Sequence, residues 1–356
     1  MKRYGNLYDK VISLENLRLA DDIARKGKKR KFGVRQHDKH REEHLLSLHE
    51  TLKKCEFKTS KYTNFEVREP KVRTISKLPY YPDRIVQHAI MNVLEPIWVG
   101  SFTSDTYANI KGRGIHKCTE NLRHALYIDR VGTKYCLKID IKKYYPSIDH
   151  ELLKVEVRRK IKDVRLLKLI DGIIDSEEGL PIGNYLSQYL ANVFLSRFDH
   201  RMKEVYHVRY YFRYVDDMVF LADTKEELMR ILAIVRKELA GLKLEIKKNW
   251  QIFPVDSSGI DFLGYVFYHG FTLMRKDIKK RIFKRIGQYN RFEISEKTFC
   301  QSMASWNGWI KWCDSKHLCE KINKCIVRPL PPMKKSYIFM EMNTLNQQTI
   351  IKNKSA

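Results

Sequence analysis

No apolar stretch in the chain approaches the roughly 18 residues that a membrane span needs, and Met1-Lys-Arg-Tyr-Gly-Asn has no hydrophobic signal core. A cytoplasmic protein is therefore expected, with no membrane partner. The seven cysteines fall at irregular spacings, which is no disulfide framework in a chain of this size and fits a reducing compartment. Paired Cys-x-x-Cys spacing is missing too. Cys313, His317, Cys319 and Cys325 could in principle hold zinc, but helix-packing cysteines are the favoured reading. No internal repeat or long low-complexity tract is present. Acidic residues are the other shortage: 42 Asp and Glu face 68 Lys and Arg, a formal net charge of +26 with a pI near 9.7. Such a surplus suits a polyanion, because each neutralised phosphate releases counterions. An anionic membrane surface is the rival explanation. At 356 residues the chain exceeds one average domain and can bury two or three packed units.

The scarce acids are unevenly placed. Asp216 and Asp217 interrupt Arg209-Tyr-Tyr-Phe-Arg-Tyr-Val-Asp-Asp-Met-Val-Phe-Leu-Ala222, otherwise a run of aromatic and β-branched strand formers. That pattern predicts a hairpin whose tip carries carboxylates, and such charges are costly to bury without a cation. An Asx turn between surface strands is the plainer alternative. Upstream, Asp140 ends the apolar run Tyr135-Cys-Leu-Lys-Ile-Asp, ahead of Tyr144, Tyr145 and a proline. Nucleotidyl transfer can use two divalent cations about 3.5 to 4 Å apart. Hard cations want oxygen ligands, so Asp140 and Asp216 bridging two ions, with Asp217 near, would suit Mg2+.

With these acids in view, an ordered series of segments resembles the reverse transcriptase family. Lys71-Val-Arg73-Thr-Ile75 and Asp83-Arg84-Ile-Val-Gln87 resemble the fingers; Tyr107-Ala108 with Lys111-Gly112-Arg113-Gly114 resembles the element after them. Asp140 then stands as the first palm acid. Gly179-Leu-Pro-Ile-Gly183-Asn-Tyr-Leu-Ser187-Gln188 occupies the place of the Pro-Gln-Gly…Ser-Pro segment, and Tyr214 to Asp217 is the second acidic motif. Leu242-Lys-Leu-Glu-Ile-Lys-Lys248-Asn resembles the palm segment with a lysine, and Phe262-Leu263-Gly264-Tyr265 the primer grip. The series spans about residues 66 to 270. Ile182 replaces the usual glutamine and Gln188 the usual proline, and this Ile-Gly-x-x-x-Ser-Gln pattern is similar to the reverse transcriptases of diversity-generating retroelements, which copy a template RNA with frequent errors at adenines.

The resemblance implies RNA-directed DNA synthesis by a right-hand polymerase of α+β class, with fingers, a palm built on an antiparallel sheet, and a helical thumb. It implies Asp140 and Asp216 as ligands of two Mg2+ ions, with Ile141 contributing beside them and Asp217 supporting the same place. Lys71 and Arg73 would grip the triphosphate, Tyr145 would be the steric gate against a ribose 2′-hydroxyl, and Tyr144 would pack in the palm. Lys248 matches the lysine that protonates pyrophosphate, with Lys247 beside it as the other possible register. Gly183 would allow close backbone approach to nucleotide or template, with Ser187 and Gln188 lining the same segment. Isoleucine at 182 cannot hydrogen-bond, and a lost polar contact is worth about 0.5 to 1.5 kcal/mol, up to roughly tenfold in discrimination. Lowered fidelity is the expectation; a core role for Ile182 is the alternative. Phe262 and Tyr265 also read as plain strand core. Implied partners are template RNA, the RNA–DNA heteroduplex, dNTPs and a small basic accessory protein oligomer.

Four segments are expected: a basic N-terminal segment (1–65), fingers and palm (66–270), a helical thumb (271–330) and a flexible tail (331–356). Arg25, Lys26, Lys28, Lys29, Arg30, Lys31, Arg35, Lys39 and Arg41 face only Asp38 before Glu42 and predict an RNA-backbone contact. Leu45, Leu46, Leu48 and Leu52 have helical spacing. So do Leu153, Val157, Ile161, Val164 and Leu167, and Leu228, Ile231, Leu232, Val235 and Leu239, read as amphipathic helices covering one side of a sheet. Beyond 270, cations from Arg275 to Arg285 are placed to track a duplex, and Trp306, Trp309 and Trp312 to form a helix core. Rival readings are a group II intron, retron or defence-associated enzyme, or an inactive RNA-binding scaffold. The chain has little room for a maturase and endonuclease extension, and the retron-like Val-Thr-Gly signature is not found.

Overall fold

The structure, a computed structural model, describes residues 2–68 and 72–329. Lys71 and the expected tail of 331–356 lie outside them. The chain divides into two compact units, each built from separated stretches: the first runs to Gly114 and adds Lys138–Phe220 and Met229–Gln251, and the second comprises Ile115–Leu137, Leu221–Leu228 and the chain from Ile252 onward.

The first unit opens with helices α1 (Tyr8–Ile12), α2 (Leu14–Ala24), α3 (Phe32–Asp38) and α4 (Arg41–Lys53). Ser13 caps α2 by accepting the Asn16 N–H at 3.3 Å. On α4, Leu45, Leu48 and Leu52 are buried and Leu46 is exposed, the division that a 3.6-residue period imposes on a one-sided helix. Strands β1 (Thr63–Val67) and β2 (Arg73–Lys77) pair antiparallel, with Val67 opposite Arg73. Helix α5 (Ile85–Val99) packs against α2, and α6 (Ile115–Ile128) begins the second unit.

The palm-like part contains β3 (Tyr135–Asp140), α7 (His150–Arg158), α8 (Val164–Ile174), α9 (Tyr185–His200), β4 (Tyr210–Tyr214), β5 (Asp217–Ala222), α10 (Lys225–Gly241) and β6 (Gln251–Pro254). Its four strands run in the order β4-β5-β3-β6, so the strand ending in Asp140 neighbours the strand beginning at Asp217. On α10, Leu228, Ile231, Leu232, Val235 and Leu239 are all buried. The periodic run from Leu153 to Leu167 is two helices rather than one. Asp163 starts α8 by accepting the Leu166 N–H at 3.2 Å, leaving Ile161 in an isolated bridge to Tyr4 and Val164 78% exposed in the first turn.

The second unit holds the short α11 (Val255–Ser258), the antiparallel sheet of β7 (Ile260–Phe262), β8 (Tyr265–Phe267) and β9 (Thr272–Met274), then α12 (Lys276–Asn290), α13 (Glu296–Ile310) and α14 (Lys316–Cys325). The core of α13 is Phe299, Met303 and Ile310, whereas the three tryptophans are only half-buried. Two of the rings cover other groups: Trp312 stacks on His116 at 4.8 Å, and Trp309 lies where a Cβ on Gly264 would come within 2.6 Å of its ring. Cys313 and Cys319 are packed among helices, burial pushing the Cys313 thiol up to about 12, while the His317 side chain is 97% exposed. Among the described residues no helix is long and apolar enough to cross a membrane.

Candidate active site

The turn between β4 and β5 is two residues, Val215 and Asp216. Val215 has φ of +59°, a left-handed conformation costly for a β-branched residue and held only where the surroundings insist on it. Arg213 supplies that hold. Its guanidinium donates to the Val215 carbonyl at 3.0 Å, to Asn192 Oδ1 at 3.2 Å and to Asp199 Oδ1 at 2.8 Å, with a further short contact to Asp199 Oδ2. Arg213 and Asp199 are fully buried, and Tyr211 Oη and Thr106 Oγ1 each donate to Asp199 at 2.8 Å. The Tyr107-to-Gly114 element lies alongside: the Tyr107 N–H donates to the Arg213 carbonyl at 3.1 Å, and Asn192 to the Ala108 carbonyl at 2.7 Å. Sequence reasoning missed this network. Its signal was an arginine inside a strand of aromatics, which needs a buried anion.

Asp140 ends β3, and Asp216 immediately precedes β5, the strand beside it. Burial, and then the charge of Asp140, push the Asp216 carboxyl up to about 6. The Ile141 N–H donates to the Asp216 carbonyl at 3.3 Å. Lys247 Nζ donates to Asp140 Oδ2 at 2.5 Å, while Asp140 Oδ1 is buried with no hydrogen-bond partner. Lys248 is exposed, so Lys247 is the lysine that reaches the first palm acid. A buried carboxylate oxygen left unspent beside a second carboxylate fits a hard divalent cation. Among the described residues, however, no three His, Cys, Asp or Glu side chains gather closely enough to hold a metal. Asp217, at the start of β5, thus completes no three-carboxylate cluster. The pair still suits Mg2+, which is commonly held by one or two carboxylates with water and phosphate oxygens filling the rest.

Tyr145 borders this pair. Burial, then the Asp216 charge, push its phenol up to about 12. The exposed Arg73 on β2 acts on the same phenol and forms no ion pair among the described residues. Tyr144 turns inward, buried, and donates to the Ala191 carbonyl at 2.6 Å. Behind Tyr145, Gly179 has φ of +61° and a Cβ there would sit 2.6 Å from the Tyr145 carbonyl, so only glycine fits. Gly183 also has positive φ, at +129°, but what it approaches is the Ser76 carbonyl of β2, 2.6 Å from where its Cβ would stand. The Ser76 N–H donates to the Ile182 carbonyl at 2.9 Å. Ile182 is half-buried and Gln188 exposed, whereas Ser187 is buried. Gln87 caps the start of α9 with its side-chain oxygen, 2.9 Å from the Tyr185 N–H.

In the second unit Phe262 and Tyr265 are buried strand core. The turn between them, Leu263 and Gly264, has φ of +53° and +86°, the double positive φ of a type I′ hairpin.

Residues 67–267 match the family model described as "Reverse transcriptase (RNA-dependent DNA polymerase)". Protein YkfC of Escherichia coli strain K12 is 28% identical over 233 residues, covering 53% of this chain and 61% of YkfC. Retron Ec73 reverse transcriptase of E. coli is 26% identical, covering 57% of this chain and 68% of that protein. Group II intron-encoded protein LtrA of Lactococcus lactis subsp. cremoris is 26% identical, covering 34% of this chain and 22% of LtrA. Among solved structures, apo telomerase from Candida tropicalis aligns at 12% identity with a TM-score of 0.49, over 84% of this chain and 67% of that one. The match extends over more than half of the chain and takes in strand β2, Asp140, Asp216 and the Phe262–Tyr265 turn. The chain belongs to the reverse transcriptase family.

Proposed function

We propose that the protein is an RNA-directed DNA polymerase acting by two-metal nucleotidyl transfer at Asp140 and Asp216. The observation that carries the reading is the pair of neighbouring carboxylates with one buried oxygen unspent, close enough to Tyr145 to act on its phenol, as Arg73 also does. Bound there, Mg2+ would activate the primer 3′ oxygen and neutralise charge on the leaving phosphate. The chain's own groups do the rest. Lys247 keeps Asp140 oriented and lies within reach of a leaving group, Arg73 and Lys71 would meet the triphosphate, and Tyr145 would wall off a ribose 2′-hydroxyl. Template RNA, the heteroduplex and dNTPs are the partners this reading requires. Primer extension on RNA, with Asp216→Ala as control, tests it. Extension by the wild type and none by the variant is expected; no extension by the wild type on any primed RNA would favour an RNA-binding scaffold.

Within the family, we infer the error-prone role of a diversity-generating retroelement, with a small basic accessory protein as partner. The half-buried Ile182, held beside β2 through the Ser76 N–H, supports it, since an apolar side chain at that place offers no polar contact. Sequencing cDNA made by Ile182→Gln is the check: errors at adenines should fall up to about tenfold, and an unchanged spectrum would leave a retron-like or group II intron-like role.

A further inference from the structure

The basic stretch of the first unit is not one uniform surface. Arg25 pairs with Asp21 and Asp38, and Arg41 with Asp21 and Asp22, at 2.6 Å each. Six others, Lys26, Lys29, Arg30, Lys31, Arg35 and Lys39, are exposed. Lys28 is different, half-buried and without an ion pair among the described residues. Its neighbour in charge is Arg84, at the boundary of α5, also half-buried and also without a carboxylate partner among the described residues. The adjacent Asp83 is turned to the Ser60 N–H, which it accepts at 2.9 Å. One turn along α5 is His88, buried, stacked on Tyr185 at 4.1 Å, its Nδ1 lacking any hydrogen-bond partner. Burial, then the charges of Arg84 and Lys28, push His88 down to about 4. Two cations and an unspent ring nitrogen come together here, and among the described residues no carboxylate forms an ion pair with either cation.

Partly buried cations without a counter-charge are unfavourable, and such a cluster persists most readily where an external anion completes it. An arginine fork with a lysine point charge is suited to phosphate oxygens. Four residues after Lys28 in the sequence stands Phe32, 77% exposed and flanked by the exposed Lys29, Arg30, Lys31 and Arg35. Cations interleaved with an exposed ring favour a single nucleic-acid strand, whose bases stack while its phosphates are neutralised.

We propose that Lys28, Arg84 and His88 form a phosphate-binding site that grips one backbone phosphate of the template RNA. The site rests on the RNA-templated reading above. The test uses the full chain and a 5′-labelled single-stranded RNA without dNTPs, so failed polymerisation would leave its outcome untouched. Arg84→Gln and Lys28→Gln should each weaken binding about three- to tenfold near 0.1 M salt, and flatten the slope of log K against log salt by about 0.7 per lost phosphate. One neutral methylphosphonate linkage should cost the wild type as much and cost Arg84→Gln nothing more. The melting temperature of Arg84→Gln should hold or rise, because a partly buried charge without an ion pair has gone. Unchanged RNA affinity and slope would overturn the proposal, as would a fall in melting temperature of several degrees. A raised dNTP KM with RNA affinity intact would transfer the phosphate to the nucleotide and overturn the RNA assignment.

Discussion

Replacing Asp199 with asparagine keeps the shape of the network behind the acidic turn and removes the carboxylate that, among the described residues, is its one anion. Arg213 would then be a fully buried cation facing amides, hydroxyls and carbonyls. Breaking a buried pair by removing one partner costs about 3 to 5 kcal/mol, whereas removing both with apolar groups of similar volume is nearly neutral. At roughly 2 to 4 °C per kcal/mol for larger domains, Asp199→Asn should melt on the order of 10 °C below the wild type. Arg213→Met should cost a similar amount, and the double variant less than their sum by at least about 2 kcal/mol. A second consequence reaches the chemistry. Arg213 holds the Val215 carbonyl at 3.0 Å with Val215 at φ of +59°, so a loosened guanidinium lets the turn relax and carries Asp216 away from Asp140. A displacement near 1 Å can cost about 10²-fold in rate. Primer extension well below the melting temperature should therefore drop by about that factor in Asp199→Asn while affinity for primed RNA stays. A coupling energy under about 0.5 kcal/mol, or full extension by a destabilised Asp199→Asn, would refute the reasoning.

Lys247→Met should lower the extension rate about 10²-fold while Lys248→Met stays within about twofold; rates measured at saturating dNTP decide between them, and the opposite order would sink the assignment of Lys247. Asp21 is fully buried, and although burial raises its carboxyl, the nearby His37 ring and hydrogen bonds from Arg25, Tyr80 and Arg41 hold it well below the usual carboxylate range. A lowered folded value gives stability that is present above the ordinary carboxylate value near 3.9 and is lost as pH falls below it. Melting temperature against pH should thus fall steeply below about pH 4 in the wild type and less so in Asp21→Asn; equal slopes would exclude Asp21 as the cause. Gly264→Ala should lose about 1 to 3 kcal/mol in urea titration, from a Cβ 2.6 Å from the Trp309 ring at φ of +86°, and a variant as stable as the wild type would show that the ring yields freely.

The strands were legible because their patterns are local. Aromatic and β-branched runs on both sides of two acids read as a hairpin, and β4 and β5 meet at that turn. That β3 neighbours β5 follows from what a strand ending in Asp140 is for, and the sheet order agrees. Helix α10 was legible from five apolar positions that are all buried. Tertiary partners were not. Asp199 and Arg213 stand 14 positions apart and each reads alone as a surface charge; burial of both is decided by helix α9 packing beside β4. The tryptophans misled because an indole satisfies helical spacing whether it fills a core or covers a turn, and Gly264, which admits Trp309, belongs to another element. The lysine register had the same character. With Ile141 opposite Ile246, the Lys247 N–H donates to the Asp140 carbonyl at 2.9 Å and the Lys142 N–H to the Glu245 carbonyl at 2.8 Å. Side chains on an extended segment alternate between faces, so a shift of one residue would bring Lys248 to Asp140 and turn Lys247 to solvent. Neither lysine differs chemically from the other. What selects between them is the pairing of two segments more than 100 positions apart, a contact that no run of neighbouring residues encodes.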